Sequence, residues 1–367
     1  MTELDRAEVV AHRARVQGLH GDGALDVLTI GVQDAPSGSA DLALAIRTGD
    51  PRAGEDPDLV RMLSIRGAPH VHRRADLPRL RAALRPRTPA ELMVWLGGAG
   101  QSFMDLGVDA LAVVDRVVES MRAEFPGERA SKGELSGAIS RLLPAAARPW
   151  CDRCGVEHVL EGLFRLGAFL AGLELERGDR KLMFRLGPPP SSDAADDPGY
   201  LVREFARLAG PVDADDVLSW LDTRPLPVKP RWEPPGWAAV AERLEPVTVG
   251  GDRLLRWPGA AGAPPPPPVV LLPPRDPYLL GHRSLVVPDR EIARLVWRAQ
   301  VSPGVLLVDG EVRGIWRQRV SGRTISLHLT PFGKPRKGIR AAVDTAAELV
   351  AAVRGAGAPH PHVVWES

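Results

Sequence analysis

Ser131-Lys132-Gly133-Glu134-Leu135-Ser136-Gly137-Ala138-Ile139-Ser140-Arg141-Leu142-Leu143 carries both a helix start and a buried face. Ser131 and Glu134 stand at capping-box spacing, which satisfies two of the backbone N–H groups that open a helix. Leu135, Ala138, Ile139, Leu142 and Leu143 then recur at helical spacing on one side. Another helical stretch, 108–124, precedes this one, and strand-like residues 182–186 follow. The arrangement recurs. Thr88-Pro89-Ala90-Glu91 opens a helix after the helical stretch 75–84. Asp213-Ala214-Asp215-Asp216 opens one after 199–208, with Val217, Trp220 and Leu221 inside it. Helix, short loop and helix, repeated with strands nearby, is the pattern of tandem helix-turn-helix or winged-helix units. An ordinary helical protein carries the same pattern, so the pattern alone leaves both open.

Breaks outside these helices divide the chain. Gly187 to Asp193 opens a polar linker, Pro225 to Pro235 carries five prolines, and Gly259 to Pro268 ends in five consecutive prolines, a stiff spacer. The resulting blocks are 1–86, 87–186, 199–256 and 269–357. The last block changes character. Val305 to Val308 leads into Asp309-Gly310, a hairpin turn. Residues 311–319 and 324–330 follow, around Ser321-Gly322-Arg323. Ile325, Leu327 and Leu329 alternate with Ser326, His328 and Thr330, one buried and one wet face. Arg313, Arg317 and Arg319 fall on one face of the middle strand, and a helix near 339–354 closes the block. The expected fold class is α+β: three winged-helix modules (1–86, 87–186, 199–256), then a C-terminal antiparallel β-barrel-like subdomain with a closing helix (269–357).

The 367 residues are 44% hydrophobic and 25% charged, as in a globular protein with room for a large core. No apolar window reaches spanning length and the N-terminus lacks an apolar signal region, so a cytoplasmic protein without membrane association is expected. Lys plus Arg is 47 and Asp plus Glu is 46, which excludes a polycation. Nucleic-acid binding would therefore need a segregated basic face. Only five of the 47 cations are lysine. Arginine suits phosphate contact, but abundant Ala, Gly, Pro and Arg also follow from a GC-rich genome.

Cys151-Asp152-Arg153-Cys154 with His158 could supply three corners of a zinc tetrahedron. There is no third cysteine, so a pair of reduced thiols with no metal is the first reading and zinc the alternative. Arg66-Gly67-Ala68-Pro69-His70-Val71-His72-Arg73-Arg74 is the densest basic cluster, with Arg66 and His70 as candidate phosphate contacts or a solvated loop. Lys334, Arg336, Lys337 and Arg340 gather where the last helix starts. Gln33-Asp34 follows the apolar run Leu28 to Val32; an amide beside a carboxylate can position a water, and an Asp before Ala-Pro is also an ordinary turn residue. There is no GxSxG, Walker loop, HExxH or GxGxxG in a βαβ setting.

Taken in order, several segments resemble the winged-helix DNA glycosylases of the AlkZ/YcaQ family, which act on alkylated and crosslinked DNA. The resemblance runs through Arg15 to Leu19, Gly31 to Asp34 with Leu42 to Arg47, Arg66 to His70 with Asp76-Leu77, and Ser131 to Ser136. It continues through Gly210-Pro211-Val212 with Trp220-Leu221, Leu271 to Pro273, Asp276 to Arg283, and the hairpin after Asp309-Gly310. It implies a monofunctional glycosylase that hydrolyses the N-glycosidic bond of alkylated purines and leaves an abasic site. It implies double-stranded DNA as partner, no cofactor, and a monomer. Gln33 and Asp34 fall in the catalytic segment; Arg66, His70, Lys132, Arg313 and Arg317 are the candidate DNA contacts. The family motif has Gln, then Gln or Asp, separated by one residue. Here the polar pair is adjacent: with Gln33 in the first place Ala35 takes the second, and with Gln33 in the second place Gly31 takes the first. The alternative implied is a non-catalytic winged-helix DNA-binding protein. An interaction protein that no longer uses DNA has only the near-zero net charge in its favour.

Overall fold

The capping box at Ser131 forms: its backbone N–H donates to Glu134 Oε2 at 2.8 Å, and the Glu134 N–H donates to Ser131 Oγ at 3.3 Å. The helix that follows, Lys132–Ser140, buries Leu135 and Ile139. Ahead of it lies Ala110–Ala123, whose buried face is Val113, Val114, Val117 and Met121. Behind it lies Glu161–Leu170, buried through Phe164, Leu166 and Phe169. Gly167 lets this helix cross Ala110–Ala123 closely, since a Cβ there would sit 2.4 Å from Val117 Cγ1. Strand Ala130–Ser131 pairs antiparallel with Met183–Leu186, which pairs antiparallel with Leu173–Leu175. Helix, strand, helix, helix and two strands is the winged-helix order.

The computed structural model describes residues 2–177, 181–190, 197–221, 234–259, 262–298, 301–321, 324–355 and 361–366. Most of the linker after Gly187, most of the proline-rich stretch 225–235 and the Gly322-Arg323 turn lie outside them. The five-proline run is described and is not a free spacer, because Asp309 N–H donates to Pro268 O at 3.2 Å. The chain forms two compact units: Met1–Leu59 with Arg203–Asp216 and Ala238–Ser367, and Val60–Val202 with Val217–Trp237. The winged helix above belongs to the second unit. That unit also holds helix Pro89–Leu96, which Thr88 caps by accepting the Glu91 N–H at 3.2 Å.

In the first unit, Thr2–Glu3, Glu245–Val249 and Asp252–Arg256 make a three-stranded sheet. Asp213 and Asp216 cap each other's backbone N–H groups at 2.9 and 3.0 Å where helix Ala214–Leu221 starts. The larger sheet of this unit has five strands in the order Val269–Leu272, Gly304–Val308, Glu311–Ser321, Thr324–Pro331 and His362–Trp365. Asp309 and Gly310 make its tight turn at positive φ, 52° and 79°, the conformation a two-residue hairpin needs. Leu271, Leu306, Trp316, Ile325, Leu327 and Leu329 pack with Leu42 of helix Ser39–Thr48 and Val343, Ala347 and Val350 of helix Ile339–Val353. Leu272, Val305, Leu307 and Ile315 pack with Tyr278, Val286 and Val296.

The β-barrel-like subdomain expected from the sequence is not there. Among the described residues no sheet closes on itself: the five-stranded sheet ends in two edge strands, Val269–Leu272 and His362–Trp365. Helix Ile339–Val353 carries the chain back so that His362–Trp365 pairs parallel with Thr324–Pro331. A parallel neighbour of this kind requires a crossover. The result is an α+β fold of winged-helix-like helices and small open sheets. No helix of the described residues is long and apolar enough to cross a membrane.

Candidate active site

Gln33 ends the short strand Val32–Gln33, and Asp34 follows it ahead of helix Ser39–Thr48. The helix is capped from a distance: Asp34 Oδ1 accepts the Ala40 N–H at 3.0 Å. A carboxylate at that end meets the positive end of the helix dipole. Gly38, at φ 81°, lets the guanidinium of Arg354 approach, since a Cβ there would lie 2.0 Å from Arg354 Nη1. Arg354 donates to Ser37 O at 3.2 Å. Burial pulls its pKa down, and the charges of Asp34 and Asp41 oppose that shift. Asp34 is 9% exposed, whereas Gln33 is half-buried. The strand ends at Gln33, so the side chain of Asp34 is placed by its bond to the helix terminus.

The candidate DNA contacts fall in several environments. Arg66 has positive φ, 54°, and donates to Ser219 O at 3.3 Å. Beside it Gly67, at φ 64°, lies under the stem of Arg165, whose Nη1 donates to Gly67 O at 2.5 Å. His70 is buried, and its Nδ1–H donates to Ala68 O at 2.9 Å. Burial, with the neighbouring His72 ring, lowers its pKa to about 3, so the ring is neutral at pH 7. Lys132 pairs with Glu161 and sits 5.7 Å from the centre of the Phe164 ring. Arg313 is exposed, pairs with Glu311, and is the extra residue of a β-bulge, since Val312 and Gly314 face Leu307 and Leu306. Arg317 stands opposite His328 and shares its face with Arg319 and Ile315.

Cys151, Cys154 and His158 come together on the hairpin of Trp150–Cys151 and Val156–Glu157, with their ligating atoms all within 4.8 Å of one another. Cys154 and Gly155 N–H donate to Cys151 O at 3.1 and 2.8 Å, and Gly155 makes the turn at φ 66°. Hydrogen bonds from His158 and from the Cys154 N–H draw the Cys151 thiol down to about 7.

Sequence reading missed a buried polar knot in the first unit. Arg47 and Asp276, both fully buried, form a bidentate pair at 2.8 and 3.0 Å. Arg47 Nε donates to Gln17 O at 2.8 Å, Gln17 Nε2 donates to Leu208 O at 2.9 Å, and Arg13 donates to the Leu280 and Ala209 carbonyls. His282 is held between Asp216 and Asp252, each at 3.2 Å. Its bond to Asp216 and the surrounding carboxylates raise its pKa to about 9, so it is a cation bound by acids. The only sequence signal was position: these residues lie in or beside segments separately likened to one family.

The family model for AlkZ-like DNA glycosylases matches residues 27–353, and the chain belongs to that family. Its fold is similar to the solved structure of Streptomyces sahachiroi DNA glycosylase AlkZ, with a TM-score of 0.71, 20% identity, and all of each chain covered. No curated protein matches the chain.

Proposed function

We propose that the protein binds duplex DNA and hydrolyses the N-glycosidic bond of alkylated purines, leaving an abasic site. The observation that carries this reading is membership of the AlkZ-like glycosylase family over residues 27–353, with a fixed carboxylate inside the segment that resembles the catalytic one. A purine alkylated at N7 or N3 is cationic, and its bond to the sugar is already weak. The protein's task is to stabilise an oxocarbenium-like sugar and aim a water at C1′. Asp34, held by the Ala40 N–H, supplies a preorganised negative field. Gln33, half-buried beside it, orients the water. Arg66, Lys132 and Arg313 exchange their present partners for phosphates, Arg317 contacts a phosphate as well, and neutral His70 positions the loop that carries Arg66.

A second reading rests on specific observations. Gly31 and Ala35 flank Gln33 at the spacing where a second polar residue would complete the motif, and Asp34 already caps a helix. These favour a DNA-binding protein without catalysis on the same scaffold. Incubation with duplex DNA containing N7-alkylguanine decides between them. Free base with matching abasic sites supports hydrolysis; binding without base release supports the second reading.

A further inference from the structure

The hairpin of residues 150–157 is too short to hold itself by packing. Its two strands pair through Trp150 with Glu157 and Cys151 with Val156, and Trp150 and Val156 are 62% and 52% exposed. A two-stranded ribbon with no apolar face is marginal in water. Something other than a core must fix it, and the cysteines and histidine are arranged to do so.

We propose that Cys151, Cys154 and His158 bind one zinc ion, with a solvent oxygen as the fourth ligand. Three observations support this. The three ligating atoms already lie within 4.8 Å of one another, close to the spacing of corners on a zinc tetrahedron. The imidazole is oriented for binding: Nδ1–H donates to Val159 O at 2.8 Å, which fixes the ring and leaves Nε2 as the nitrogen that would ligate the ion in place of its bond to Cys151. Metal-bound histidines are usually oriented by such a bond from the other ring nitrogen. The backbone closes the turn between the sulfurs as well: the Cys154 and Gly155 N–H groups donate to Cys151 O at 3.1 and 2.8 Å, and Gly155 at φ 66° allows that turn.

Two thiolates and an imidazole are a borderline-soft set, which suits zinc rather than magnesium or calcium. On binding, the two thiol protons leave to solvent and two Zn–S bonds form; no oxidation occurs. Among the described residues no fourth protein ligand joins the cluster. The ion would pin the hairpin beside helix Glu161–Leu170 of the winged helix.

The test uses the untagged full-length chain, purified under reducing conditions without chelator. Metal analysis should find one zinc per chain, and Cys151→Ser or His158→Ala should reduce it to background. Wild-type protein stripped of metal and titrated with Co²⁺ should develop thiolate-to-cobalt charge-transfer absorption that saturates at one equivalent, so the result does not depend on whether the variants fold. Zinc at background together with no charge-transfer absorption would overturn the proposal. So would cobalt absorption unchanged in Cys151→Ser, or an intact mass showing a Cys151–Cys154 disulfide in the reduced preparation.

Discussion

Arg47 and Asp276 are the pair of side chains on which the first unit depends most. Both are fully buried, and each would be a stranded charge without the other. Arg47→Met should lower the unfolding free energy by about 3–5 kcal/mol, seen as an earlier urea midpoint. His282 contributes differently. Its folded pKa of about 9 lies above the ordinary 6.5, so its stabilisation is complete below pH 6.5 and is lost as pH rises through 9. Denaturant midpoints should therefore fall between these limits, and His282→Asn should flatten that part of the profile. Neither role was legible in the sequence, because each depends on groups hundreds of positions apart or on separate loops. The Arg47–Asp276 bond spans 229 positions. Asp34 was legible as a candidate, but not as the cap of the helix that starts five residues on, since its bond to the Ala40 N–H depends on how the Ala35-Pro36 stretch folds back.

At the scale of elements, the local signals were strong and correctly placed. Ser131, Thr88 and Asp213 each start a helix because their side-chain oxygens meet orphan N–H groups nearby, an event that needs no distant partner. Asp309-Gly310 turns a hairpin for the same local reason. The barrel failed because closure is a relation between edges. Alternation at Ile325, Leu327 and Leu329 reports a wet and a dry face, but nothing in it says whether Val269–Leu272 meets His362–Trp365. Gly67 offers a test of how one element is packed. It combines φ 64° with the Arg165 stem, whose Cδ would lie 2.7 Å from an added Cβ. Gly67→Ala should destabilise the second unit by more than about 1 kcal/mol, measured by thermal or urea unfolding. A silent Gly67→Ala would mean that the loop relaxes at no cost.

At the scale of the whole molecule, a formal charge of +1 leaves DNA affinity to local clusters rather than to a global field. Binding should weaken steeply with salt, because each phosphate contact releases counterions and contributes about 0.9 to the slope of log K against log[salt]. Neutralising Arg313 and Arg317 together should reduce that slope by about 2, with little change in sequence preference. Fluorescence anisotropy across a salt series reads both quantities. Affinity independent of salt would remove the phosphate role given to these arginines.

In the proposed reaction Asp34 provides the charge that lets this chain break a glycosidic bond. Asp34→Asn separates that charge from the cap, since the amide oxygen can still accept the Ala40 N–H. The decisive measurement is the single-turnover rate of base release from an N7-alkylated duplex, with DNA affinity determined in parallel. Wild-type protein should release the free base and leave abasic sites, and Asp34→Asn should bind DNA normally yet be slower by roughly 10²–10⁴-fold. Equal rates in the two proteins, or wild-type release no faster than spontaneous depurination, would contradict the account.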